Sequence, residues 1–465
     1  MAGKRKANPA GSSNGLRGDV LRVLGVLKVA TTDQIQRIAA PHQSFRHTTK
    51  ETASEQKTAR TAAHAGALSD LRKQGLTENG GTTKGAETLR NLTPAGLAAA
   101  SHELRRSLPE MGSPARGAGS TGAAHALSVN ETVISLLRPK PDLTRVTSEP
   151  PEALAAARAA ASAPSRLGSL ASYATEVPLP ATGTWNAPGR GGAQADIVVT
   201  AARDGVPLLF VEVDNCHESA EELAGKLEKY ARFFRRQVKD TDGKERAMWR
   251  TRWPAPGGQL GYDVPHPPVL LVFHRIGDRN PDHTVPRLAD LTRHLWQGQW
   301  HREDGFHSYD QKIPIIAAGL NNLRKHGPAG AVFQRFGRTD MQTLTDAIGN
   351  PRKDAAHAHA REAHRARREA YEAEQQRKAE QEAAEREARR PACAQCGTKF
   401  PDDRWEAARD YPDPTGHWHP TLCEDCESHA RAAALQAAQA ERERREQEEA
   451  LAARKAGGWL ARFRA

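Results

Sequence analysis

Residues 194–215, QADIVVTAARDGVPLLFVEVDN, set three carboxylates into what is otherwise a pair of apolar strands. Asp204-Gly205 marks the turn between them. Side chains alternate along a strand, so Phe210, Glu212 and Asp214 share one face, and Leu209, Val211 and Val213 share the other. Two acids on one face of a buried strand repel each other and lose hydration. Such a pair is most readily kept when a cation or a basic ligand neutralises it. Register decides whether Asp196 joins them. A two-residue turn at Asp204-Gly205 pairs Asp196 with Val213, on the wrong face. A three-residue loop, Arg203-Asp204-Gly205, with the glycine left-handed, pairs it with Glu212.

The surrounding pattern predicts a mixed α/β domain over residues 124–340. A helix over 124–137 carries Val129, Val133, Leu136 and Leu137. Residues 150–170 are Ala/Ser-rich and ambiguous. Tyr173–Leu179 reads as a strand with Glu176 inside it. Ser219 and Glu222 form a capping box, and the helix they start carries Leu223, Leu227, Tyr230 and Phe234 on one stripe. Lys226 lies at the edge of that stripe. Residues 239–266 read as a polar loop containing Trp249 and Trp253. The run 268–273 is continuously apolar, as in a strand buried on both faces. A helix over 285–296 and strands over 313–318 and 329–335 complete the pattern.

Residues 15–108 predict a winged helix-turn-helix. Leu16, Val20, Val23, Leu24 and Leu27 recur at helical spacing, and Thr31 with Gln34 caps a second helix. A third helix over 57–74 gathers Lys57, Thr58, Arg60, Thr61 and His64 in its first half. A hairpin follows, with Asn79-Gly80-Gly81 at its tip and Lys84 and Arg90 on its arms. In that arrangement the third helix enters the major groove of double-stranded DNA, and the hairpin touches the backbone. A three-helix protein-interaction module would share the same order. The balance of 67 Lys+Arg against 56 Asp+Glu, a formal charge of +11, favours a polyanion, nucleic acid ahead of membrane. Residues 1–14 form a basic tail that lacks the apolar core of a secretory signal, and 109–123 a Pro/Gly/Ser linker. No segment approaches the roughly 20 apolar residues of a membrane span.

Only 38% of the chain is hydrophobic and 5% aromatic, too little for one large core. The polar excess concentrates in 341–390 and 429–465, which read as long solvated helices. Between them, over 391–428, stand Cys393-x-x-Cys396 and Cys423-x-x-Cys426. Four thiolates satisfy a tetrahedral structural Zn²⁺; His417 and His419 are substitute ligands. The expected product is a helical hairpin with a zinc-clamped tip, and coiled-coil oligomerisation lacks Leu or Ile heptads. Two CxxC pairs and a fifth, free Cys216 suit a reducing, cytoplasmic setting.

The acid-bearing region resembles the PD-(D/E)-x-K nuclease superfamily. The resemblance implies that Asp196 and Glu212 hold Mg²⁺, which activates water for attack on phosphorus. Asp214 stands where that family carries its lysine. Some members move the lysine to the following helix, where Lys226 lies, and some carry another acid on the first strand or helix, where Glu176 lies. The chain further resembles the replication-relaxation family over about residues 16–335, through HALSVNETV, ADIVV, FVEVDN and KLEKY. That resemblance implies a protein of actinobacterial plasmids or integrative elements, acting with plasmid replication or transfer proteins. Within HALSVNETV, His125 reads as a capping residue and Asn130 as a surface one. The expected function is a DNA-binding protein that engages and nicks DNA. The alternative is a non-enzymatic regulator or adaptor on an inactive nuclease fold.

Overall fold

The computed structural model describes residues 11–83, 85–114, 123–164, 167–239, 242–253, 263–410 and 421–461. The chain forms two compact units, Met1–His357 and Ala358–Ala465.

The first unit opens with α1 (Asn14–Leu27), whose start is capped by the Ser13 hydroxyl and whose Val20, Val23, Leu24 and Leu27 are buried. A short strand β1 (Val29–Thr31) leads into α2 (Thr32–Ala39), started by the expected Thr31/Gln34 capping box. Helix α3 (Ala53–Lys73) begins four residues earlier than its basic cluster suggests, because Thr52 and Glu55 form a second capping box. Strands β2 (Thr77–Thr82) and β3 (Thr88–Leu92) form a hairpin, and β1 pairs with β3 to make a three-stranded sheet. Helix α4 (Pro94–Leu104) starts on a Thr93 cap with proline in its first turn. The segment expected as linker includes a helical turn, α5 (Leu108–Met111), with Met111 buried.

Helices α6 (Ala123–Leu137) and α7 (Pro151–Ser162) come next. Then β4 (Tyr173–Leu179), β5 (Ala193–Ala201) and β6 (Val206–Asp214) form an antiparallel meander, followed by α8 (Ala220–Arg235). A small hairpin of β7 (Gln237–Lys239) and β8 (Glu245–Ala247) precedes β9 (Val269–Phe273), α9 (Pro281–Leu291) and α10 (Arg293–Trp296). A second hairpin, β10 (Gln299–His301) and β11 (Phe306–Ser308), leads to β12 (Ile315–Gly319) and α11 (Leu320–His326). The unit ends with β13 (Phe333–Arg335), β14 (Met341–Gln342) and α12 (Leu344–Ile348). The main sheet has seven strands in the order β14-β13-β12-β9-β6-β5-β4, with β6, β9 and β12 parallel. The architecture is thus mixed α/β. Trp249 and Trp253, expected in a polar loop, are buried with α8.

Strand alternation sorts the two faces. Val199, Val211, Val213, Val272 and Ala318 join one core with α6 and α11. Val198, Phe210, Leu271 and Ala317 join the other with α8 and α9. The first core also takes in Val20, Leu24, Leu68 and Leu97, so the N-terminal helices share it with the sheet. Two buried polar contacts cross that junction: Thr175 Oγ1 donates to Val26 O (2.6 Å), and Asn130 Nδ2 donates to Val29 O (2.8 Å). Asn130 is therefore no surface residue; its relative exposure is 1%. Its burial is not legible in the sequence, because the β1 carbonyl it satisfies is about a hundred residues away.

The β5–β6 connection differs from the expected three-residue loop. Residues 202–204 form a 3₁₀ turn and Gly205 takes φ 77°, left-handed as expected. Ala201 then faces Val206, and the register shifts by one before Val199 faces Leu209. The longer turn and the shift compensate. Ile197 consequently faces Val211, the last pair of that ladder, and Asp196 and Glu212 are the next residues in line.

Helix α13 (Pro351–Ala388) carries no buried residue, and from Ala358 it belongs to the second unit. Helix α14 (Asp402–Asp410) and the 38-residue α15 (Glu424–Ala461) follow. The described side chains of α15 beyond residue 430 are exposed. Among the described residues, the long helices therefore do not pack along each other as a hairpin. Their Ala/Glu/Arg sequences offer no apolar stripe for it, and Tyr371, Leu435 and Leu451 stand alone and exposed.

Candidate functional site

Glu212 enters the site from the middle of the sheet, 4% exposed, on the face covered by α8. Its Oε1 accepts from the Tyr230 hydroxyl at 2.7 Å, and its Oε2 lies 3.5 Å from Lys226 Nζ. Lys226 and Tyr230 are four apart on α8, so one helix face delivers both. Burial, with the charge of Asp196 added, pushes the Glu212 carboxyl up to about 8, against the pull of Lys226 and Tyr230. Burial works against the Lys226 ammonium, yet Glu212 and Glu218 outweigh it and raise its pKa above that of an ordinary lysine. Lys226 also holds Glu218 Oε1 at 2.6 Å, bridging the two acids.

Asp196 is next in line with Glu212. Its Oδ2 accepts from the Val213 amide (2.7 Å), and its Oδ1 meets His125 Nε2 at 3.0 Å. His125 is not a cap; the Asp196 contact raises its pKa despite burial. The β4–β5 register, Thr175 with Ile197 and Val177 with Ala195, puts Glu176 opposite Asp196. Glu176, Asp196 and Glu212 thus form a row across three strands, although Glu176 has φ 53° and is exposed. Asp214 turns elsewhere. Its Oδ1 accepts from the His217 amide at 3.3 Å, so its carboxylate caps the turn into α8. Among the described residues, the ligand atoms of Asp196, Glu212 and Asp214 do not gather into a three-donor cluster. Three partners are not legible in the sequence. Tyr230 lay hidden in an apolar stripe, His125 read as a cap, and Glu218 gave only the signal of preceding Ser219.

The residues expected on a DNA-facing helix are mostly engaged within the protein. Lys57 pairs with Glu87 and Arg60 with Asp33 (2.7 Å for the latter). Thr61 Oγ1 donates back to Lys57 O at 2.8 Å. His64 is 1% exposed, and neither ring nitrogen has a partner. It does not reach solvent, because its face of α3 packs among Ala67, Leu68 and Leu71. Arg90 donates to Asn79 across the hairpin, and burial lowers its pKa. Lys84 lies outside the described residues. Asp33 also bonds Arg37 (3.0 Å), Arg37 bonds Glu131 on α6, and Glu131 meets Arg324 on α11 at 3.3 Å. A chain of ion pairs so runs from α3 to the helices on the sheet.

These elements lie in a stretch that matches a family model. Residues 21–245 match the replication-relaxation family. The match spans α1 to β8 and includes the carboxylate strands, Lys226 and Tyr230. It points to a role in plasmid replication or transfer. Comparison with curated proteins and with solved structures finds no match.

The cysteine module lies outside the replication-relaxation match. Cys393, Cys396, Cys423 and Cys426 bring their sulfurs within 4.8 Å of one another. Tetrahedral Zn²⁺ with Zn–S of about 2.3 Å sets its sulfurs about 3.8 Å apart, and Cys396 and Cys423 are 3.7 Å apart. The donor set and spacing fit a structural metal. Amide N–H groups, first that of Cys423, lower the Cys393 thiol, while the neighbouring sulfurs raise that of Cys426, so the four titrate as one group. His417 and His419 lie outside the described residues. Phe400 is buried beside the module, and Glu427 accepts from Arg404 and Arg431, tying α15 to α14. Among the described residues, no helix is long and apolar enough to cross a membrane.

Proposed function

We propose that this replication-relaxation protein binds double-stranded DNA through a winged helix formed by α1–α3, β2 and β3, and cleaves one strand at the acids under α8. The observation that carries the reading is Lys226 at 3.5 Å from Glu212, on the helix after the acid strand, with Asp196 next in line. A lysine missing from position 214 is thereby supplied from α8. The order α6, β4–β5–β6, α8, β9, with β6 and β9 parallel, supports a PD-(D/E)-x-K core. Three short helices followed by a β-hairpin support the winged helix. Asp196 and Glu212 are the residues that would hold Mg²⁺, which supplies an activated water and charge relief at phosphorus.

The chain's own groups have separate tasks. Tyr230 fixes the Glu212 oxygen it touches, His125 fixes Asp196, and Lys226 orients the attacking oxygen. Asp214 holds the turn into α8. The cysteine quartet holds a structural Zn²⁺, and reduced thiols fit a cytoplasmic setting.

A second reading rests on a specific contact. Lys226 already contacts Glu212 within the protein at 3.5 Å, and the three acids do not gather. On that reading the α/β domain is an inert clamp and the protein a DNA-binding regulator or adaptor. Supercoiled plasmid separates the two. Purified protein with Mg²⁺ or Mn²⁺ is expected to relax it, and Asp196→Asn and Glu212→Gln to lose the activity while still binding DNA. Binding without relaxation in any metal would leave the regulator reading.

A further inference from the structure

Helix α13 buries no side chain, so its residues act at the surface. From residue 372 onward it follows the pattern of a solvated helix. Acids outnumber bases there, Lys378 holds Glu374 at 2.8 Å, and Arg386 holds Glu406 at 3.2 Å. Residues 358–371, AHAREAHRARREAY, depart from that pattern. Arg365 and Arg368 reach Glu369 and Glu372 at 3.8 and 3.4 Å, and among the described residues Arg361 and Arg367 have no ion pair. All four arginines are exposed, where single ion pairs contribute little.

The helical repeat gathers these charges. At 3.6 residues per turn, Arg361, His364, Arg365 and Arg368 fall within an arc of about 100°. Glu362 and Glu369 lie to one side of it. One turn back from Arg361 stand His357 and Ala358, and one turn on stand His364 and Arg365, none of them acidic. Like charges four residues apart weaken a helix. A repulsion kept in a helix with no core to serve is one that an external polyanion relieves.

Spacing and the opposite face narrow the polyanion. Arg361 to Arg368 spans about 10.5 Å at about 1.5 Å per residue. That is the axial length of about three phosphates on one strand of a duplex, at about 3.4 Å each. A helix lying on anionic lipid needs large apolar residues opposite its basic face. Here that side carries Ala363, Ala366 and Ala370.

We propose that Arg361, Arg365 and Arg368 form a second contact with the phosphate backbone of double-stranded DNA, separate from the winged helix and outside the replication-relaxation match. The contact rests on the reading of the protein as a DNA binder and does not depend on cleavage. Guanidinium forks pair with phosphate oxygens and read no base, so the stripe adds affinity without selecting a sequence.

Anisotropy of a labelled duplex, titrated with the full chain over a salt series, tests it. In Arg361→Gln/Arg365→Gln/Arg368→Gln the slope of log K against log salt is expected to shrink by about 2.7, three contacts at about 0.9 each. The loss should be equal on two unrelated duplexes, with the far-ultraviolet helical signal unchanged. Lysines at the same three positions should restore the slope. Arg377→Gln/Lys378→Gln, which removes cations from the acidic half of α13, should leave it as in the parent. An unchanged slope in the triple glutamine variant, or an equal loss per charge in the Arg377/Lys378 control, overturns the stripe alone and leaves the winged-helix reading standing. A parent that binds no duplex overturns both. Weaker binding of the triple variant to phosphatidylserine vesicles, with its DNA slope unchanged, overturns the proposal in favour of a lipid surface. Should the triple variant lose helical signal, Arg361→Gln alone decides, with an expected change of about 0.9.

Discussion

Tyr230 and Glu212 are joined by a 2.7 Å hydrogen bond from a fully buried phenol to a nearly fully buried carboxyl. The acid so held is pushed up to about 8, first by burial and then by Asp196. The folded protein therefore keeps a proton on Glu212 that the unfolded chain, near 4.5, has released. Between those values the native state binds more protons, so this group's contribution to stability falls as pH rises. Glu212→Gln should remove that fall. The variant is expected to gain on the parent by roughly 1.4 kcal/mol per pH unit over the window. Urea unfolding without divalent metal at pH 5 and pH 7.5 measures it; equal gaps at both values would show that Glu212 does not titrate there.

Lys28 titrates in the opposite sense. It is 7% exposed and donates to Met111 O, and burial lowers its pKa to about 8. The unfolded lysine holds its proton to about 10.5, so stability from this group rises with pH between 8 and 10.5. At neutral pH a buried charge is a cost, and Lys28→Met is expected to raise the melting temperature at pH 7. That advantage should shrink by pH 10. An advantage that is constant with pH would mean the gain comes from packing alone.

His64 makes a sharper case on α3. Both ring nitrogens are buried without partners, and burial lowers its pKa. Leaving such atoms unsatisfied costs about 1–3 kcal/mol. His64→Leu should therefore stabilise the protein and leave DNA affinity unchanged. Lys57→Ala should instead weaken DNA binding and lower the salt slope by about one phosphate contact. Fluorescence anisotropy over a salt series reads both; loss of affinity in His64→Leu would put the ring back at the DNA.

How far the sequence reaches is visible in these same residues. Capping boxes at Thr31 and Ser219, the strand Tyr173–Leu179, and Lys226 on the stripe of α8 are local patterns, legible from spacing alone. The Asp196–Glu212 register was legible too, because alternation leaves only two choices. Its turn was not, since a longer loop and a register shift cancel. Tyr230 looked like core because its hydroxyl partner lies on another element. His64 looked like a DNA ligand because its burial depends on tertiary packing. Glu212 and Tyr230 belong to one site only once the fold brings α8 over β6.

The cysteine module gives the last test. Its four sulfurs surround one position, and Phe400 is a fully buried large side chain beside them. A small unit with so little apolar core depends on its metal for folding. The protein is expected to carry one zinc per chain, released by a chelator after thiol modification. Metal removal should unfold residues 391–428 with little loss of far-ultraviolet helical signal, because α13 and α15 bury almost nothing there and hold their turns through local ion pairs such as Lys378–Glu374. Cys393→Ser should lower zinc content and expose the 391–428 segment to limited proteolysis, while plasmid relaxation by the first unit persists. If the variant retains one zinc per chain with unchanged proteolysis, the quartet is not the metal site.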